Sequence, residues 1–134
     1  MKRIIIITSI LLSSFLANAQ KKFTPLKEKD GISVLHKWKI NDDGKRQLIL
    51  KFKNKSKSHK NISVIIGFYL NGVMEEQAEV ASCSKKGFFN NLFLTKYGIT
   101  SEYMSNEQLN DSAFNLEIIK IKTEETNKCE KQHQ

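Results

Sequence analysis

From Ile32 to Ile121 one pattern dominates this chain: apolar and polar side chains take turns at every second residue. A strand sends successive side chains to opposite faces, so this period commits the chain to sheets, most of them with one buried face. Ile32, Val34, His36, Trp38 and Ile40 share one face of a first strand, with Ser33, Lys37 and Lys39 opposite. Asn41, Asp42, Asp43 and Gly44 supply turn chemistry. Leu48, Leu50 and Phe52 then face inward on a second strand, against Lys51 and Lys53. A polar run leads to the most apolar strand, where Ile62, Val64, Ile66, Phe68 and Leu70 line one face. Ile65 and Tyr69 occupy its other face, so this strand is expected at the centre of a sheet. Asn71 followed by Gly72 is a strong hairpin signal, because both tolerate the left-handed region. The returning strand, residues 73–83, places Met74, Ala78 and Val80 inward and Glu75, Gln77 and Glu79 outward. A further strand is expected over residues 88–94, and a last one over residues 114–122. In the last strand Phe114, Leu116 and Ile118 share a side before Ile119 and Ile121 break the register, as a bulge or a sheet switch would. Residues 100–110 fit either a long loop or one helical turn opened by a capping box of Ser105 and Gln108.

Six to seven short strands and no helical periodicity of any length leave one economical arrangement, two antiparallel sheets packed face to face. The stretches VLHKWKI, LILKFKNKS, ISVIIGFYLNG and FNLEIIKIK carry that pattern across residues 32–122. In this the chain resembles the immunoglobulin-like and fibronectin-III-like sandwiches of small exported bacterial proteins. The resemblance implies an all-β, antiparallel, two-sheet immunoglobulin-like sandwich. The chain departs from antibody-type domains in lacking cysteines on the strands around Trp38. Such a fold carries many unrelated functions, so function has to come from a site.

The start of the chain has the form of a cleaved signal peptide. Lys2 and Arg3 precede an apolar stretch from Ile4 to Leu16, and Ala17, Asn18 and Ala19 close it with small residues at the positions a signal peptidase reads. Cleavage is expected before Gln20, with no Cys there to carry a lipid anchor. The expected organisation is therefore a signal peptide at residues 1–19, a polar lead-in at 20–30, and a single sandwich domain with a polar tail at 31–134. The full chain carries a net charge of +8, and removal of Lys2 and Arg3 leaves +6. Beyond the apolar stretch nothing approaches the roughly 20 apolar residues of a membrane span. The expected location is secreted or periplasmic.

Cys83 and Cys129 are the two cysteines. An even count in a small exported domain points to a disulfide, ahead of free thiols or a metal site. No neighbouring Cys or His gives a metal-ligand spacing, so no metal or other cofactor is expected.

Catalytic signatures are missing from the sequence: it contains no HExxH, GxSxG or phosphate-loop motif. His36 sits beside Trp38 on the inward face and reads as a core or rim histidine. Asp42 and Asp43 read as a turn, and Glu75, Glu76 and Glu79, the one set of carboxylates a hydrolase could draw on, read as a solvated strand face. A non-enzymatic binding domain is expected. Its candidate site is a basic run: Lys51, Lys53, Lys55, Lys57 and Lys60, without an acid among them. On a continuing strand the first four would alternate onto one solvent face and attract an acidic glycan, lipopolysaccharide phosphates or another polyanion. The plainer reading is a solvated face whose lysines prevent edge-to-edge aggregation. Nucleic acid is not expected, because no stacking aromatics are interleaved with these lysines. The alternative is an accessory or inhibitor protein docking an envelope protein through an apolar edge near Tyr97, Tyr103 and Met104. Ser112, between Asp111 and Ala113, matches a bacterial O-glycosylation pattern, while Asn54 and Asn61 match the N-linked one.

Overall fold

A computed structural model describes residues 22–86 and 96–130, so the signal peptide expected at residues 1–19 and the strand expected over 88–94 lie outside the described residues. Among the described residues seven strands follow one another: β1 (Thr24–Lys29), β2 (Ile32–Ile40), β3 (Arg46–Asn54), β4 (His59–Leu70), β5 (Val73–Ser84), β6 (Lys96–Thr100) and β7 (Phe114–Thr126). A single helical turn, α1 (Asn106–Leu109), precedes β7. The strands form two antiparallel sheets, ordered β1-β2-β3-β6 and β5-β4-β7. The architecture is an all-β two-sheet sandwich, and β4, apolar on both faces, is central in its sheet as its composition requires.

The two inner faces make the core. Ile32, Val34, Leu48, Leu50 and Phe52 from one sheet meet Ile62, Val64, Ile66 and Phe68 from the other, all nearly or fully buried. Trp38 closes one end, edge-on to Phe68 at 6.3 Å and to Phe114 at 5.9 Å between ring centroids. Such edge-to-face pairs add to burial because the positive ring edge meets a negative face. Ser105 and Gln108 form the capping box: Ser105 Oγ accepts from Gln108 N at 3.2 Å, and Gln108 Oε1 accepts from Ser105 N at 2.9 Å. That turn buries Leu109 and helps bring Met104 into the core.

Two strands carry no clear alternation. Residues 20–30, expected as a lead-in, contain β1, whose side chains are exposed apart from Leu26. A register shift between Pro25 and Lys27 turns Leu26 onto the core. Pro25 is tolerated because β1 is an edge strand, where a missing N–H need not break a ladder. Among the described strands β6 is the other edge of that sheet.

Bulges redirect two side chains. On β5, Met74 pairs with Tyr69 and Glu76 with Phe68, so Met74 is not inward as the simple period demands but 47% exposed. Glu76 takes the inward side and is half-buried, where it accepts from the Ser101 hydroxyl and from Glu102 N at 3.0 Å. It is thus no part of a solvated strand face. On β7 the pairing steps from Lys120 to Ile118, which leaves Ile119 bulged and exposed.

The corner where the chain changes sheets is polar and satisfied. Asn54 is 3% exposed, and its Nδ2 donates to the carbonyls of Ser58 (2.8 Å) and Ser84 (3.1 Å). Its Oδ1 accepts from Ser56 N at 2.9 Å and Ser56 Oγ at 2.6 Å. An amide this committed is unavailable to a glycosyltransferase in the folded protein. A second tie joins the β1–β2 turn to the opposite sheet. Lys60 Nζ donates to the Asp30 carbonyl at 2.6 Å, and Thr123 Oγ1 to Asp30 Oδ2 at 2.6 Å.

Cys83 and Cys129 form a disulfide, with Cα atoms 5.5 Å apart. It links β5 to the chain beyond β7, the two strands that flank β4. The bridge spans a sequence separation of 46 residues. Loop closure of that length is worth about 4 kcal/mol in the chain-entropy account. Reduction should therefore lower the unfolding free energy by about that amount in paired urea titrations with and without reductant. Coincident curves would contradict this. Phe68→Ala, which removes a fully buried side chain from β4, should cost about 3–5 kcal/mol in the same titration.

Candidate anion-binding face

The outward face of the four-stranded sheet follows from the β2–β3 register. Leu35 pairs with Lys51, Lys37 with Ile49, Lys39 with Gln47, and Ser33 with Lys53. Since Val34, Leu48, Leu50 and Phe52 face the core, these partners must all face out. On the far side of β3, Ile49 pairs with Gly98 and Gln47 with Thr100. Lys37, Lys39, Lys51 and Lys53 therefore stand on one surface, around Leu35 and Ile49. Phe23, just before β1, lies beneath two of them. Its ring centroid is 4.8 Å from Lys37 Nζ and 5.0 Å from Lys51 Nζ, within cation–π range.

Lys39 and Lys53 are exposed and have no ion-pair partner among the described residues. At the rim of this face, Glu28 accepts from Ser33 Oγ at 2.9 Å and pairs with Lys55 Nζ at 3.0 Å. Its carboxyl is held below the usual range, first by the Lys55 hydrogen bond, then by that from Ser33 and by the Lys55 charge. Between Lys37, Lys39, Gln47, Ile49 and Gly98 runs an open groove of about 430 Å³.

The structure corrects the basic run as the sequence drew it. β3 ends at Asn54, so Lys55 and Lys57 leave the ladder and sit on the corner turn. Lys55 is engaged by Glu28, and Lys60, 8% exposed, is used internally by the Asp30 carbonyl. Lys51 and Lys53 remain on the face, joined by Lys37 and Lys39. The alternation had already placed those two outward on β2; the missing step was the hairpin register. Phe23 carried no signal, being an isolated aromatic in a polar segment.

The apolar edge is corrected too. Tyr97 pairs with Leu50 on the inward side of β6 and packs against Phe52, with centroids 5.9 Å apart. Met104 is 8% exposed within the core, and only Tyr103, at 76%, stands out in solvent. These three residues do not form one docking surface. Ser112 is exposed in the turn before β7. Among the described residues, no three His, Cys, Asp or Glu side chains group as a metal site would need. Arg46 stacks on Trp38, its Cζ 5.0 Å from the ring, with its guanidinium donating to Asn110; burial pulls its pKa down.

What the fold and this face define is a disulfide-linked β-sandwich with a basic outer sheet. No family model, no curated protein and no solved structure matches the chain.

His36, on the inner side of β2, is half-buried and its Nδ1 lies 3.1 Å from the Thr24 carbonyl. A carbonyl only accepts, so Nδ1 carries the proton of the neutral ring. Burial lowers the His36 pKa from 6.5, against the opposing effect of the Thr24 contact. The unfolded chain then binds this proton first, so the contribution of His36 is present above the unfolded value and is lost as pH falls through 6.5 toward the lower folded value. Wild type should lose more stability than His36→Gln between about pH 7.5 and pH 5.5 in denaturant titrations. Equal losses would contradict this.

Proposed function

We propose that this protein is an exported, non-enzymatic binding domain that holds an envelope polyanion on the outer face of its four-stranded sheet. The clustering of Lys37, Lys39, Lys51 and Lys53 on one surface carries this reading. Pairing weighs against the plainer alternative at Lys51, which has β2 on one side and β6 on the other; Lys37 and Lys39 lie beyond the last β1 pair at His36, and Lys53 beyond the last β6 pair at Lys51. Ammonium groups gathered on one face raise a local positive potential that draws an anion.

Secretion or a periplasmic location fits the signal-peptide pattern, and the Cys83–Cys129 disulfide fits an oxidising compartment. Among the described residues no helix is long and apolar enough to cross a membrane. The second reading, an accessory protein docking through residues near Tyr97, loses its surface to the core.

Replacing Lys37, Lys39, Lys51 and Lys53 together by Gln should weaken polyanion binding by at least about tenfold and flatten its dependence on salt. Replacing Lys55 and Lys57 should leave retention on a polyanion column nearly unchanged. Equal retention of the fourfold variant and the wild type would overturn the proposal.

A further inference from the structure

We infer that the polyanion is an acidic polysaccharide, with one carboxylated sugar ring seated in the groove over Gly98. This rests on the polyanion reading and gives the anion a chemistry. A bare phosphate chain needs only positive charge, and Lys51 and Lys53 already offer that. The groove offers something else. Its base is the backbone of exposed Gly98 and the side chain of Ile49, 7% exposed, paired across β6 and β3. Its wall on the β2 side is Lys37 and Lys39, and beside Gly98 stands the Gln47 amide.

A sugar ring presents the matching groups. Its C–H face suits an apolar floor, its hydroxyls suit an amide that both donates and accepts, and its carboxylate suits two ammonium groups. Gln47 is held loosely for this role: its Nε2 reaches Thr100 Oγ1 at 3.4 Å, near the limit of a hydrogen bond. It can therefore turn to a ligand hydroxyl at small cost.

The missing side chain at Gly98 leaves the space in which the Gln47 amide lies, and that amide has to turn aside for a ligand to sit there. A Cβ built there would lie 2.6 Å from Gln47 Nε2 and 2.8 Å from its Cδ, and it meets no backbone so closely. The clash is with the far end of a flexible side chain. Gly98→Val should thus displace Gln47 and fill the groove while suiting the strand.

The test uses the disulfide-bonded protein with polygalacturonate and inorganic polyphosphate of matched charge, and phosphatidylglycerol vesicles as a third probe. Wild type should prefer polygalacturonate. Gly98→Val should bind it at least about tenfold more weakly and keep its polyphosphate affinity within about twofold. If both affinities fall together with the fold intact by thermal melt, or neither falls, the sugar seat is wrong and the anion face stands. If wild type prefers polyphosphate or the vesicles, the polysaccharide is wrong. If it binds none of the three, the polyanion reading falls with it. Should Gly98→Val fail to fold, Gln47→Ala replaces it and must show the same selective loss.

Discussion

The register of β2 against β3 is the constraint on which the rest of the molecule hangs. Side chains alternate with a period of two, so a slip by one residue would invert one strand against the other, sending either Lys37 and Lys39 or Lys51 and Lys53 into the core and Val34, or Leu48 and Leu50, into water. The turn between the strands fixes the register locally. Asn41 Oδ1 accepts from Asp43 N at 3.0 Å and Lys45 N at 2.9 Å, and Asn41 N donates to the Lys45 carbonyl at 2.8 Å. Gly44 takes a positive φ of 76°, which a side chain would resist. Asn106 then ties the turn to the far end of the chain, accepting from Arg46 N at 2.8 Å and donating to the Gly44 carbonyl at 2.8 Å. One hairpin thereby sets both what is buried and what is displayed.

The opposite sheet supplies the other half of the core and shows how exceptions to alternation are accommodated. Gly67 on β4 faces outward, where a Cβ would lie 2.6 Å from the Tyr69 ring and 2.9 Å from Ile119 Cδ1. Both side chains fold over the glycine, so the bulge that frees Ile119 from the ladder also lets it cover a bare patch of backbone. Three nearly buried polar side chains are also accommodated. Asn54, Lys60 and Ser33 are each nearly buried, and each has a hydrogen-bond partner. Their positions at the sheet-changing corner and around the β1–β2 turn explain why the two sheets are fastened at that end.

Much of this could be read in the residues. The two-layer all-β architecture, the central place of β4, the Asn71–Gly72 hairpin, the turn opened by Ser105 and the pairing of Cys83 with Cys129 all have local signals. β1 had none, because an edge strand that buries only Leu26 shows no period. Met74 left the inward face through a bulge that alternation alone does not register, while Glu76 kept the inward place it shares with Ala78 and Val80. The candidate site was half legible. Lys51 and Lys53 were found as part of a run, but a run along the chain is not a surface. It took pairing between strands to remove Lys55, Lys57 and Lys60 and to add Lys37, Lys39 and Phe23. Tyr97 and Met104 were misjudged for the same reason, since burial at the end of a sandwich depends on which element lies across it.

The central claim is that anions are held by a surface defined across strands rather than along the sequence. The most direct measurement is an amide and lysine side-chain NMR titration of the oxidised protein with a polyanion at low salt. The account predicts shifts concentrated on Phe23, Lys37, Lys39, Gln47, Lys51, Lys53 and Gly98, with the outer face of β5-β4-β7 silent. Shifts centred on Lys55 and Lys57, or spread evenly over all exposed lysines, would contradict it.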